Sequence, residues 1–148
     1  KILIPNESIR IRVIANSNNI EDQLLKIKVK EQIEEELYDE LKDIKDISSV
    51  RNIITKKIPI LEKKLNKTIN SKDYSIIFGK NYFPEKELYG ISYNAGNYES
   101  LVVNIGESKG NNWWCVLFPP LCMIEAKNTD KDFVEYKSKV LEILKEYK

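Results

Sequence analysis

The strongest constraint on the fold is a stripe. Leu25, Val29, Ile33, Leu37 and Leu41 recur at every fourth residue. That spacing lines one face of an α-helix with an apolar stripe. It predicts a long helix over about residues 21–44. Glu21 and Asp22 fall in the first turn, where the helix dipole favours negative charge. Lys26, Lys28, Lys30, Glu34, Glu35 and Glu36 form the wet face. A second stripe follows: Ile47, Val50, Ile54, Ile58, Leu61 and Leu65 step by three or four and predict a helix over about residues 48–67. Pro59 lies inside it. It cannot donate to the carbonyl of Thr55 and crowds it, so a kink or break is expected there.

The flanking segments alternate. Ile9, Ile11 and Val13 take one side of a strand over residues 8–15; Arg10, Arg12 and Ile14 take the other. Residues 16–19, Asn-Ser-Asn-Asn, end it with turn and cap formers. Residues 74–78 read as a strand ending at Gly79. Residues 87–93 and 98–105 flank Asn94-Ala95-Gly96-Asn97 and read as a hairpin. Thr129-Asp130-Lys131-Asp132 resembles a helix start, and Phe133, Val140, Leu144 and Tyr147 give a last amphipathic helix. Helices grouped apart from strands mean an α+β fold, with helices packed on one face of a mostly antiparallel sheet. With 148 residues and no linker or repeat, residues 1–148 make a single domain.

Composition narrows the chemistry. There is no histidine, which removes Ser-His-Asp and Cys-His catalysis, zinc-protease sites and His proton relays. No catalytic residue, cofactor or metal ligand is assigned, and the expectation is a protein that is not an enzyme. The net charge is +1, so nothing global recruits nucleic acid or an anionic membrane. The longest apolar run, residues 116–121, is too short to span a bilayer. The chain opens at Lys1 and its one methionine is Met123, the pattern expected of a processed or trimmed form that has lost an export signal or anchor.

The most unusual stretch is residues 111–123, Asn-Asn-Trp-Trp-Cys-Val-Leu-Phe-Pro-Pro-Leu-Cys-Met. Cys115 and Cys122 flank a Pro-Pro pair. They read as a disulfide if the protein is exported, as two buried small hydrophobes if it is not. A nucleophilic cysteine is the third reading, weakened because no histidine exists to lower its pKa. Trp113 and Trp114 are adjacent, so in extended chain they point to opposite faces, one into the core and one available as an anchor. Pro119 and Pro120 cannot donate ladder bonds, so residues 118–121 read as an exposed loop or an edge. Such a stiff apolar loop is either a preorganised protein-binding surface or a lid over the end of the core. Gly106-Glu107-Ser108-Lys109-Gly110 lacks the spacing of a phosphate loop and reads as a glycine-bounded turn. Arg10 and Arg12 either pair with carboxylates inside the fold, which is the default, or bind an anionic group. Acidic pairs such as Asp22 and Glu99 have the chemistry for acid–base work, but sequence does not bring them into one cleft.

Three blocks resemble the stage II sporulation protein R family. Residues 9–17, Ile-Arg-Ile-Arg-Val-Ile-Ala-Asn-Ser, with Glu21-Asp22-Gln23 and Leu25-Lys26, look like its opening block. Phe83-Pro84, residues 95–101 and residues 103–106 look like its middle block. Residues 110–122, with Trp113-Trp114-Cys115 and Phe118-Pro119-Pro120, look like its signature, with Asn111 standing where Gln is more usual. The resemblance runs from the first strand to about Met123; the final helix carries little of it.

The resemblance implies a secreted signalling protein of endospore formation. It is exported from the forespore into the space between forespore and mother cell. There it activates a membrane-embedded aspartic protease of the mother cell, and the protease cleaves the inactive sigma-E precursor. On this reading Trp113, Trp114, Phe118, Pro119 and Pro120 touch or shape the contact surface, and Cys115 and Cys122 staple it. Asn16, Ser17 and Asp22 form a second patch by resemblance; the alternative for them is helix capping. Partners would be that protease, with no nucleic acid, no small-molecule substrate, and the membrane only through the partner. Two other classes remain open. One is a cell-envelope (peptidoglycan) binding or hydrolysing protein, with tryptophan as sugar platform and carboxylates as acid and base. The other is an intracellular redox protein using the two cysteines.

Overall fold

The computed structural model describes residues 2–70, 72–88, 90–122 and 133–147. In chain order the elements are β1 (Ile2–Leu3), β2 (Ile9–Ile14), α1 (Ile20–Leu41), α2 (Ile47–Thr68), β3 (Tyr74–Phe83), β4 (Lys86–Leu88), β5 (Ile91–Tyr93), β6 (Gly96–Ile105), β7 (Asn112–Phe118) and α3 (Phe133–Glu146). The fold is α+β. The expected helix start at residues 129–132 lies outside the described residues.

Four strands make the central sheet in the order β3-β6-β2-β7, and three short ones make a second sheet in the order β1-β5-β4. In the central sheet β3 and β7 run antiparallel to their neighbours, while β2 and β6 are parallel. The parallel pair follows from the connection. The chain leaves β2, runs through α1, α2, β3, β4 and β5, and comes back along β6, a crossover far longer than a hairpin allows.

Alternation on β2 sorts the two faces. Ile9, Ile11 and Val13 are fully buried and pack with Val29, Ile33, Leu37 and Leu41 of α1 and Val50, Ile54, Leu61 and Leu65 of α2. Both long helices therefore cover one face of the central sheet, each by its sequence stripe. Asn19 caps α1, its Oδ1 accepting from the Asp22 amide at 3.0 Å. Asp46 caps α2, accepting from the amide and hydroxyl of Ser49, each at 2.9 Å. Between the helices, Glu36 takes Lys57 at 3.1 Å and Lys64 at 2.6 Å, so it is an interhelical partner and not part of the wet face. The opposite face carries a second core. There Ile4, Ile91 and Tyr93 of the small-sheet region and Tyr136 and Val140 of α3 meet Phe83, Tyr98, Trp114 and Val116.

Four expectations are corrected. Helix α2 runs through Pro59 without the break that is one of the two outcomes expected there, and Pro59 lies on the exposed side. Strand β3 continues through Gly79 to Phe83, because β6 pairs with it over ten residues. Residues 87–93 and 98–105 do not form a hairpin: β5 turns back on β4, and β6 joins β3 and β2 in the other sheet. Residues 118–121 are buried, not an exposed loop, although β7 is an edge strand of the central sheet.

Candidate functional site

Strand β7 and the turn after it hold the unusual stretch. Trp114 is 7% exposed and sits in the second core, edge-on to Phe83 at 5.2 Å and Tyr93 at 5.3 Å. Trp113 points the other way. It is half-buried against the helical core, with the Lys30 ammonium 5.1 Å from its ring centre. The pairing of β2 with β7 skips Leu117, since Arg10 faces Val116 while Ile9 faces Phe118. This bulge puts Leu117 and Phe118 both on the helical core, where Phe118 meets Tyr147 edge-on at 5.4 Å.

Cys115 and Cys122 form a disulfide, with Cα atoms 5.5 Å apart. It closes a turn in which the Phe118–Pro119 peptide is cis and the Leu121 amide donates to the carbonyls of Pro119 at 2.7 Å and Val116 at 3.2 Å. Pro119 and Pro120 are buried. Phe118 and Pro119 form the floor of an open cleft of about 710 Å³. Its other walls are Ile2, Leu3 and Pro5, Ile47 at the start of α2, and Leu141, Leu144 and Tyr147 at the end of α3. Leu3 is 60% and Leu141 45% exposed, so the rim is apolar and open to water. Glu7, Lys45 and Lys145 supply its charge. Sequence reasoning missed this cleft. Its one signal was Leu141, an apolar residue off the core stripe of the last helix.

Asn16, Ser17 and Asp22 come together, away from the cleft. Asp22 Oδ2 accepts from Asn16 Nδ2 at 2.8 Å and Ser17 Oγ at 2.6 Å, and Lys72 Nζ lies 3.7 Å from Oδ1. The hydroxyl of Ser17, then the amide of Asn16, hold the Asp22 carboxyl below the usual carboxylate range. The cluster also grips the loop that launches β7. Asn16 Oδ1 accepts from the Glu107 amide at 2.8 Å, and Asn18 Oδ1 accepts from the Asn111 amide at 2.6 Å. The amides of Gly110 and Lys109 donate to the carbonyls of Ala15 and Asn16. A Cβ at Gly110 would run into the Ser17 carbonyl. Gly106 (φ +55°) turns the chain in the left-handed region, where a Cβ would strike Asn16. These residues are a clamp inside the fold. The helix cap itself is Asn19.

Asp22 and Glu99 do not meet. Glu99 stands beside Ile9 at one end of β2, where it accepts from Arg51 Nε at 2.7 Å. Asp22 belongs to the clamp beyond the other end. The strand between them spans roughly 15–20 Å, against the roughly 5–9.5 Å that a glycosidase pair needs. Among the described residues no group of three or more His, Cys, Asp or Glu is placed to hold a metal ion, and no helix is long and apolar enough to cross a membrane.

Arg10 and Arg12 depart from the default of internal pairing. Arg10 is fully buried, yet none of its side-chain nitrogens has a hydrogen-bond partner among the described residues. Its guanidinium is surrounded by rings, with centroids at 3.6 Å (Tyr98), 4.8 Å (Trp114), 5.2 Å (Phe83) and 5.9 Å (Tyr93). Arg12 is half-buried. Its Nη1 donates to the Tyr82 carbonyl at 3.2 Å, and its Nε has no partner. Burial pushes both guanidinium pKa values down.

The fold and site together define a small α+β domain with a disulfide-closed aromatic and proline turn beside an apolar cleft. The chain belongs to the family of stage II sporulation protein R, whose family model matches residues 5–128. It is 39% identical over 132 residues to the "Stage II sporulation protein R" of Bacillus subtilis (strain 168), a match covering 86% of this chain and 58% of that relative. No solved structure matches.

Proposed function

We propose that the chain is an exported signal that binds the extracytoplasmic part of a membrane-embedded aspartic protease and so triggers cleavage of the sigma-E precursor. Its place of action is the space between forespore and mother cell. The observation that carries the reading is the cleft: Phe118 and Pro119 of the unusual stretch floor an open apolar groove whose rim includes exposed Leu3 and Leu141. A concave apolar surface with a few charges at its rim suits a protein segment better than a polar substrate. The disulfide suits an oxidising exterior. The work such a ligand does is differential binding, since only a better fit to the active protease than to the inactive one shifts the balance. Moving a 1:99 equilibrium to 99:1 takes a preference of about 10⁴-fold.

The test is co-expression of the exported chain with the protease and the sigma-E precursor in a non-sporulating host. Cleavage is expected to need the chain. Leu3→Asp and Leu141→Asp alter only exposed rim positions, so they are expected to abolish cleavage with the melting curve unchanged. Full cleavage with the double variant would refute the cleft as the contact. No cleavage with any form, export being verified, would refute the signalling role and favour binding to the envelope.

A further inference from the structure

Ser8, Arg10 and Arg12 are alternate residues along β2 and the chain leading into it, so their side chains leave the sheet on one face. All three carry a buried polar atom with no hydrogen-bond partner among the described residues: Ser8 Oγ, every side-chain nitrogen of Arg10, and Arg12 Nε. Ser8 is 2% and Arg10 0% exposed. The two guanidinium carbons lie 5.2 Å and 5.3 Å from the centre of the Phe83 ring. The Lys86 ammonium stands over the same aromatic cluster, 4.5 Å from the Trp114 ring centre. Neither arginine forms an ion pair with a described residue.

This arrangement is costly. Two like charges in a low-dielectric cluster repel, and each unmet donor forfeits the hydrogen bonds it made to water. The rings return part of that through cation–π attraction, but a ring face does not satisfy five planar N–H groups. Even a buried ion pair is often replaced by well-packed apolar residues at no loss of stability, and a cation without its anion has less to lose. Among the described residues the column lacks an anion. A carboxylate matches the fork of a guanidinium bidentately, and its second oxygen is free for a neighbouring donor. Access lies at the Arg12 end, where the side chain is half-exposed.

We infer that the Ser8–Arg10–Arg12 column is a receiving site for a carboxylate, supplied by an acidic side chain of the protein that this chain binds. The site stands on the geometry alone. The source of the carboxylate rests on the signalling reading. Binding brings the carboxylate in past Arg12 and exchanges ring contacts on Arg10 for hydrogen bonds, so Trp114 reports it.

The test uses the full chain with Trp113→Phe, which leaves Trp114 as sole indole emitter, titrated with sodium acetate against sodium chloride at matched ionic strength. A saturable emission change with half-saturation in the range of about 1–100 mM is expected, as one exposed carboxylate without a tethering partner binds weakly. Arg12→Met is expected to weaken it by about tenfold or more, with the melting temperature little changed because Arg12 makes one hydrogen bond. Arg10→Met is expected to abolish it while melting no lower than the parent. An emission curve identical in acetate and chloride, together with a lower melting temperature for Arg10→Met, would make Arg10 a structural cation–π contact and overturn the inference. The source is read separately. If Arg12→Met loses the acetate response but still triggers full cleavage of the sigma-E precursor, the carboxylate does not come from the protease. If the parent chain triggers no cleavage yet responds to acetate, the signalling role fails and the site stands.

Discussion

Reducing the Cys115–Cys122 bridge is expected to destabilise the protein by an amount that the chain geometry sets. The two cysteines are seven positions apart, so the bridge closes an eight-residue loop. In the chain-entropy account such a loop removes about 2.5 kcal/mol of unfolded-state freedom. Pro119 and Pro120 lie inside it and already stiffen the unfolded chain, each by roughly 0.4–1 kcal/mol. About 0.5–1.7 kcal/mol is left for the bridge itself. For a domain of this length that lowers the melting temperature by about 1–7 °C, and the urea midpoint by roughly 0.3–0.9 M at a slope of about 2 kcal/mol/M. The assay compares protein reduced in denaturant and refolded with protein kept oxidised, which creates no cavity. Both sulfurs are buried, with Cys115 at 2% and Cys122 at 1% exposure, so the native protein is expected to resist reductant until it opens. Two free thiols in denatured, unreduced protein would refute the pairing. Equal midpoints with and without the bridge would refute the entropic argument. The functional consequence follows the same geometry: Phe118 and Pro119 floor the cleft, so the reduced form is expected to trigger less cleavage at equal concentration.

Three further perturbations test the fold around the site. Pro59→Ala restores an amide donor opposite the Thr55 carbonyl at an exposed position, and a gain of about 2–2.6 kcal/mol in urea unfolding is expected after the lost stiffness of the unfolded chain is deducted. Gly110→Ala drives a Cβ into the Ser17 carbonyl, and a loss of about 1–3 kcal/mol is expected, with a change in Trp113 emission because β7 starts two residues on. The folded pKa of Asp22 lies below its unfolded value of 3.8, so its contribution is present above about pH 4 and is lost as pH falls through the folded pKa. Asp22→Asn is therefore expected to be less stable than the parent at pH 7 and to lose less on acidification below pH 4, as followed by urea midpoints across that range.

Much of this architecture was legible because periodicity is a local signal. Every-fourth-residue stripes gave α1 and α2 to within a few residues, and the alternation of Ile9, Ile11 and Val13 against Arg10 and Arg12 placed β2 with both faces correctly assigned. What failed depended on distant partners. Asn94-Ala95-Gly96-Asn97 has turn chemistry, yet Gly96 opens a strand that pairs with β3 and β2, and nothing local distinguishes a turn within a sheet from a passage between two sheets. Pro-Pro implied exposure, but the segment is drawn inward by the disulfide and by the cores on either side. Asn16, Ser17 and Asp22 were recognisable as capping types; that they hold the 106–111 loop required knowing that residues ninety positions apart are neighbours. The cleft was illegible for the same reason, since its walls come from β1, α2, the Pro-Pro turn and α3.

The burial of the unusual stretch decides how a contact surface on this protein has to be mapped. Strand β7 and its turn feed both cores, with Cys115, Leu117 and Phe118 on the helical side and Trp114, Val116 and Leu121 on the other. Cutting Trp114 or Phe118 to alanine removes a large buried ring, which costs about 3–5 kcal/mol in a well-packed core. That is a large share of the roughly 5–15 kcal/mol by which a domain of this kind is stable. A signalling defect in such a variant therefore says little about contact, since a shifted folding equilibrium produces the same loss. The informative positions are those the fold does not need. Leu3 and Leu141 lie on the cleft rim, and Arg12 lies at the mouth of the cationic column. A defect at either rim leucine with an unchanged melt locates the apolar contact. A defect at Arg12 with an unchanged melt locates the charged one.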